Sequence, residues 1–181
     1  MTQNPDTLAA VSLAMADEDS NAFAERIGRS FSDWGFAVVS DHGIPAELIA
    51  RAEAMSRAFF ALPDEVKRSY HIPGGGGARG YTPFGTESAK DSNISDLKEF
   101  WHIGRDLPSG HPFEPYMPPN IWPRELDGFR ETYLEMFAAF DKAGARILEA
   151  IARFLGLAPD FFVDTVRDGN SVMRLIHYPP V

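Results

Sequence analysis

Two short stretches of the chain carry side chains suited to gripping a small anion. Arg79 and Tyr81 close the stretch "HIPGGGGARGY", and Arg174 and Tyr178 lie within "SVMRLIHYPPV". A guanidinium pairs with a carboxylate through two parallel N–H bonds, and a phenol adds one directional hydroxyl. In an extended strand, alternation puts Arg174, Ile176 and Tyr178 on one face and Met173, Leu175 and His177 on the other. Arg174 and Tyr178 can therefore reach one ligand together. Each residue also has a plainer reading: Arg79 as a solvated surface arginine, Arg174 as a paired structural one, and Tyr178 as a strand end.

Other chemistries find less support. The five histidines, His42, His71, His102, His111 and His177, form no His-x-Asp, no His-x-Glu and no helical i, i+4 pair, so local motifs assemble no metal site. His111 and Glu114 stand among prolines and read as a surface loop. His42 reads as bonding its own turn, while His102 and His177 alternate with apolar neighbours and read as satisfied, half-buried strand residues. The glycines at 74–77 and Gly80 are followed by Tyr81 and Thr82, where a phosphate-binding loop needs Lys and then Ser or Thr. They predict a mobile loop. No Gly-x-Ser-x-Gly elbow occurs, and with no cysteine there is neither a thiol nucleophile nor a thiolate metal site.

The elements that must position these residues follow from periodicity. Asp19 or Ser20 caps a predicted helix carrying Phe23, Ile27 and Phe31 that ends at Gly35. "FAVVS" reads as a short buried strand, and Pro45 opens a second helix that Pro63 stops or resets. "DLKEFWHIG" predicts a strand with Glu99, Trp101 and Ile103 on one side and Lys98, Phe100 and His102 on the other. From Phe129 to Gly156, apolar residues including Tyr133, Met136, Phe140, Ile147 and Leu155 recur at three- and four-residue steps and predict the longest helix. A helical turn in "APDFFVDTV" and the closing strand complete the chain.

The sequence has 181 residues, 44% of them hydrophobic, and a formal charge of -9. That length buries one core or a core plus part of another, and the acidic balance argues against nucleic acid or an anionic membrane as partner. No stretch approaches the roughly 20 apolar residues of a membrane helix, the start lacks the basic character of a secretory signal, and the expected setting is cytoplasmic.

In order along the chain, "DWGFAVVSDHGIP", "FFALPDEVK", "RGYTPFG", "DLKEFWHIG", "LGLAPDFF" and "MRLIHYPPV" together resemble the isopenicillin-N-synthase-like branch of the iron(II)- and 2-oxoglutarate-dependent oxygenases. The resemblance runs from about Asp33 to Val181. It implies an α+β fold, with residues 1–170 as a helix-rich region with lead-in strands. Residues 171–181 would be the first strand of a double-stranded β-helix, or jelly roll, incomplete in this chain. It further implies an Fe(II) cofactor, 2-oxoglutarate as co-substrate, and a small molecule hydroxylated or desaturated with O2. The family's His-x-Asp, distal His and Arg-x-Ser have no counterpart in the chain, which by itself is expected to be inactive and part of a longer enzyme.

Residue by residue, Tyr178 matches the second tyrosine of a "YYPP" pattern, a position that faces the active site and contacts co-substrate or substrate in relatives. Ile176 stands where relatives often have Asn, and His177 where they often have Tyr on the face turned away from the site. Arg79 and Tyr81 match a loop that grips a substrate carboxylate in some members. Trp101 matches a pocket-facing position, with core packing as the rival reading for so large a ring. Two other functions stand beside this one: a noncatalytic helical interaction module, and an iron oxidase of the same family that does not use 2-oxoglutarate.

Overall fold

The computed structural model describes residues 8–87 and 96–180. The expectations drawn on the chain's first seven residues and on Val181 lie outside the described residues. In chain order the elements are β1 (Val11–Ser12), α1 (Met15–Glu18), α2 (Ser20–Trp34), β2 (Val39–Ser40), α3 (Ala46–Phe60) and α4 (Asp64–Arg68). There follow β3 (Gly80–Thr82), β4 (Glu99–Gly104), a 3-10 turn at Glu114–Tyr116, α5 (Phe129–Phe154), α6 (Val163–Val166) and β5 (Val172–His177). No helix among the described residues is long and apolar enough to cross a membrane.

The chain divides into two compact units. The first comprises residues up to 46 and 138–167, the second 47–137 and 168 onward. β5 is hydrogen-bonded along β4 and lies within the second unit.

In the first unit, the Asp19 carboxylate accepts the backbone N–H groups of Asn21 and Ala22 at 3.1 and 2.9 Å, satisfying two of the donors that a helix start leaves open. Gly35, at φ 77°, ends α2 in the left-handed conformation that glycine reaches without strain. Val11, Leu13, Phe23, Ala24, Ile27, Ala143 and Ala150 form the core. The Phe154 ring lies where a Cβ on Gly28 would stand, 2.1 Å from it, so the glycine admits the ring. Two expectations shift. The "FAVVS" strand shrinks to Val39–Ser40, because its parallel partner β1 offers only two residues to pair with, and Phe36 and Val38 are exposed. Phe31, Phe140 and Leu155 keep the helical spacing but lie at the surface.

In the second unit, β3, β4 and β5 form an antiparallel sheet in that order, with Tyr81 opposite Trp101, and Trp101 opposite Leu175. Phe59 of α3 packs edge-on to Trp101 at 4.7 Å between centroids, and Phe129 and Tyr133 of α5 stand 4.6 Å apart behind it. Burying such rings supplies about 1.5–3 kcal/mol each, so this aromatic cluster holds the sheet in place. The Tyr133 hydroxyl donates to the Ala52 carbonyl at 2.6 Å and lies 2.5 Å from the Ser56 hydroxyl, and burial pushes its pKa up to about 12.

Candidate active-site sheet

The alternation read from "SVMRLIHYPPV" is present in β5. Leu175 is buried against the helices and His177 stacks on the Phe60 ring at 5.1 Å, while Arg174, Ile176 and Tyr178 are exposed on the other face. The ladder carries this pattern across the sheet. Glu99, Trp101 and Ile103 pair with His177, Leu175 and Met173, and Phe100 and His102 pair with Ile176 and Arg174. One face is therefore a core face and the other is the face that Arg174 and Tyr178 share.

On the core face a carboxylate sits at the centre of a polar cluster. Glu99 is 4% exposed, and Lys67 of α4 donates to its Oε2 at 2.8 Å. The Tyr81 hydroxyl of β3 donates to the same oxygen, and His177 Nδ1 donates to Oε1 at 2.8 Å. Burial alone would raise the Glu99 pKa, but the bonds from Lys67, Tyr81 and His177 outweigh it and hold the carboxyl below the usual range. Lys67 is subject to the same contest. Burial works to lower its pKa, and the bonds to Glu99 and Asp64 carry it above the usual lysine value. Burial and the Glu99 bond push the Tyr81 phenol up.

On the opposite face, His102 joins two segments. Its Nδ1 donates to the Gly77 carbonyl at 2.6 Å, which leaves Nε2 as the acceptor for Arg174 Nε, also at 2.6 Å. The imidazole is thereby a neutral Nδ1–H tautomer, and burial holds its pKa below 6.5. The Arg174 guanidinium lies 4.3 Å from the Phe100 ring centre, with Glu87 at 3.7 Å.

Arg79 occupies a third environment. It is 3% exposed, its Nη1 donates to the Ala78 carbonyl at 2.7 Å, and its Nε and Nη2 have no hydrogen-bond partner among the described residues. The guanidinium lies against Gly104, where an added Cβ would come within 2.0 Å of Cζ. Burial lowers its pKa, and the nearby Asp106 charge opposes that shift.

The five residues singled out by the sequence thus separate. Arg174 and Tyr178 share the open face, and Arg79 is buried rather than solvated. Tyr81 and Trp101 lie in the core of the second unit. Both rings are 2% exposed or less and turn toward Phe59, because the β3 register puts Tyr81 directly beside Trp101 on the helix side. The readings of His42, His102 and His177 as satisfied residues match their bonds. The sequence reading does not single out Glu99 and Lys67, which pair in the core. The available signal was a carboxylate inside the otherwise apolar run "EFWHIG", which demands a buried cation. His177 lines a cavity of about 520 Å³ with Phe60 and Ile176, and Glu99 and Lys67 line another of about 370 Å³ with Pro179 and Pro180. Among the described residues no three His, Cys, Asp or Glu side chains stand together as a metal site.

Residues 8–125 match the family described as non-haem dioxygenase in morphine synthesis, N-terminal. Among curated proteins, the chain is 34% identical to validamycin A dioxygenase of Streptomyces hygroscopicus subsp. limoneus over 91% of its own length and 47% of that protein. It is 32% identical to a proline hydroxylase of Petromyces alliaceus over 88% of its own length and 50% of that one. Among solved structures it superposes on a 2OG-Fe(II) oxygenase family protein of Caulobacter crescentus with a TM-score of 0.89 and 47% identity, covering 97% of this chain and 57% of the other. A Neurospora crassa protein crystallised with alpha-KG gives a TM-score of 0.79 at 27% identity, over 99% of this chain and 56% of that one. The chain spans about half the length of the curated relatives it matches.

Proposed function

The chain belongs to the non-haem iron(II)- and 2-oxoglutarate-dependent dioxygenases, and from that premise we propose that it forms the N-terminal region of an enzyme that hydroxylates or desaturates a small molecule. For hydroxylation the balance is substrate C–H, O2 and 2-oxoglutarate giving C–OH, succinate and CO2. Iron(II) with 2-oxoglutarate supplies that oxidation in the family.

The observation that carries the reading is the two-faced β5 inside a chain that matches the family. In this proposal β5 is the first strand of the jelly roll. Tyr178, 65% exposed, offers its hydroxyl to a 2-oxoglutarate carboxylate, and Arg174, held by His102 and Phe100, contributes positive charge to the same face. Ile176 offers only apolar surface where relatives often have Asn, so the co-substrate contact falls to its neighbours. Arg79, with the N–H groups of Nε and Nη2 unmatched, suits a carboxylate on the substrate, since a buried guanidinium is costly unless paired.

The test is an assay of the intact protein with iron(II), O2 and 2-oxoglutarate, following succinate. Tyr178→Phe is expected to raise KM for 2-oxoglutarate about tenfold, the equivalent of roughly 1.4 kcal/mol and of one hydrogen bond to a charged group. Product formed without succinate would move the protein to the oxidases of the family that do not use 2-oxoglutarate. Neither product nor 2-oxoglutarate binding would overturn the enzyme reading in favour of a noncatalytic module.

A further inference from the structure

We infer that Glu99 and His177 are positioning residues that fix the direction in which Tyr178 leaves the sheet. The inference rests on the reading that Tyr178 meets 2-oxoglutarate. Among the described residues β5 is bonded to β4 on one side only, and its ladder ends at His177 opposite Glu99. The next residue is Tyr178, followed by Pro179 and Pro180. Neither proline has an N–H to continue the ladder. The last fixed point before the tyrosine is therefore the side chain of His177, and it is held from two directions. Phe60 stacks on it at 5.1 Å with a 25° interplanar angle, and the Glu99 carboxylate receives its Nδ1–H at 2.8 Å.

Glu99 cannot swing away in turn. Its other oxygen takes bonds from Lys67 on α4 and Tyr81 on β3, so three separate elements converge on one carboxylate. A buried carboxylate bonded at both of its oxygens fixes one arrangement where an apolar contact would allow sliding. Successive strand residues point to opposite faces, so clamping the His177 imidazole on the core face sets the Cα–Cβ direction of Tyr178 on the open face. Neither Glu99 nor His177 needs to touch co-substrate to act in this way.

The test is a mutant cycle on the intact, iron(II)-loaded protein, titrated with 2-oxoglutarate by calorimetry under anaerobic conditions. His177→Phe keeps the stack on Phe60 and removes the bond to Glu99. It is expected to weaken 2-oxoglutarate binding about fivefold to tenfold, on the order of one lost hydrogen bond. His177→Asn keeps an N–H at the Nδ1 position and is expected to restore binding. The His177→Phe/Tyr178→Phe pair is expected to be no weaker than Tyr178→Phe alone, within about twofold, because the clamp acts only through the hydroxyl that is then gone. Additive losses would overturn the positioning role, as would wild-type binding by His177→Phe alongside weak binding by Tyr178→Phe. If Tyr178→Phe itself binds normally, the reading of Tyr178 as the co-substrate contact fails instead. Should His177→Phe not fold, His177→Leu, which also removes the Nδ1–H while keeping apolar contact with Phe60, takes its place in the same cycle with the same outcomes.

Discussion

On one face of the three-stranded sheet His177 meets a carboxylate, and on the other His102 meets a guanidinium. Both imidazoles donate from Nδ1, one to Glu99 and one to the Gly77 carbonyl. The difference lies in what surrounds them. His177 bonds to a carboxylate that is almost wholly enclosed with its ammonium partner, although the His177 ring itself is 39% exposed, whereas the His102 link ends on an Arg174 that keeps 39% of its side chain in contact with solvent. A closed cluster fixes an arrangement, and an open one leaves charge available to something that arrives. The same residue types therefore serve as a clamp on one side and as a receiving surface on the other.

This contrast can be broken by measurement, and the largest effect belongs to the closed side. Lys67→Met strands the Glu99 carboxylate in the core, and it should cost about 3–5 kcal/mol of stability in urea unfolding, as expected when one partner of a buried pair is removed. A loss below about 1 kcal/mol would mean that this face behaves as ordinary surface.

A smaller effect comes with acid. The folded-state pKa of Glu99 lies below its usual 4.5, so its contribution is complete above pH 4.5 and is lost as pH falls through the folded value. Lys67 is shifted upward from 10.5, so its contribution is complete below that pH and is lost as pH rises through the folded value. Stability should hold between these limbs, and in Glu99→Gln the acid limb should flatten in a pH series of thermal unfolding. An unchanged acid limb would remove Glu99 from the centre of the cluster. The smallest effect is expected on the open side, where Arg174→Met should change stability by less than about 1 kcal/mol while weakening 2-oxoglutarate binding. A large stability loss there would erase the contrast.

Features set by neighbours in sequence were legible in advance. The Asp19 cap, the Gly35 stop and the alternation of β5 depend on spacings of a few residues, and all three occur as read. What escaped were pairings across distance. Lys67 and His177 lie 32 and 78 residues from Glu99, and no local pattern joins them. Trp101 shows the same limit. Its side of β4 was read correctly as shared with Glu99 and Ile103, but which side faces the helices depends on Phe59 and Phe129, and these turn Trp101 into the core. Strand length also depends on the partner, as the two-residue β2 illustrates.

The guanidinium of Arg79 fills the space in which a side chain on Gly104 would begin, and this has a consequence for how the chain can vary. The two positions share one volume. A methyl group gained at 104 has to displace the end of the arginine side chain, whereas loss of the arginine opens room beside the glycine that a larger residue could fill. Change at either position is therefore felt first at the other.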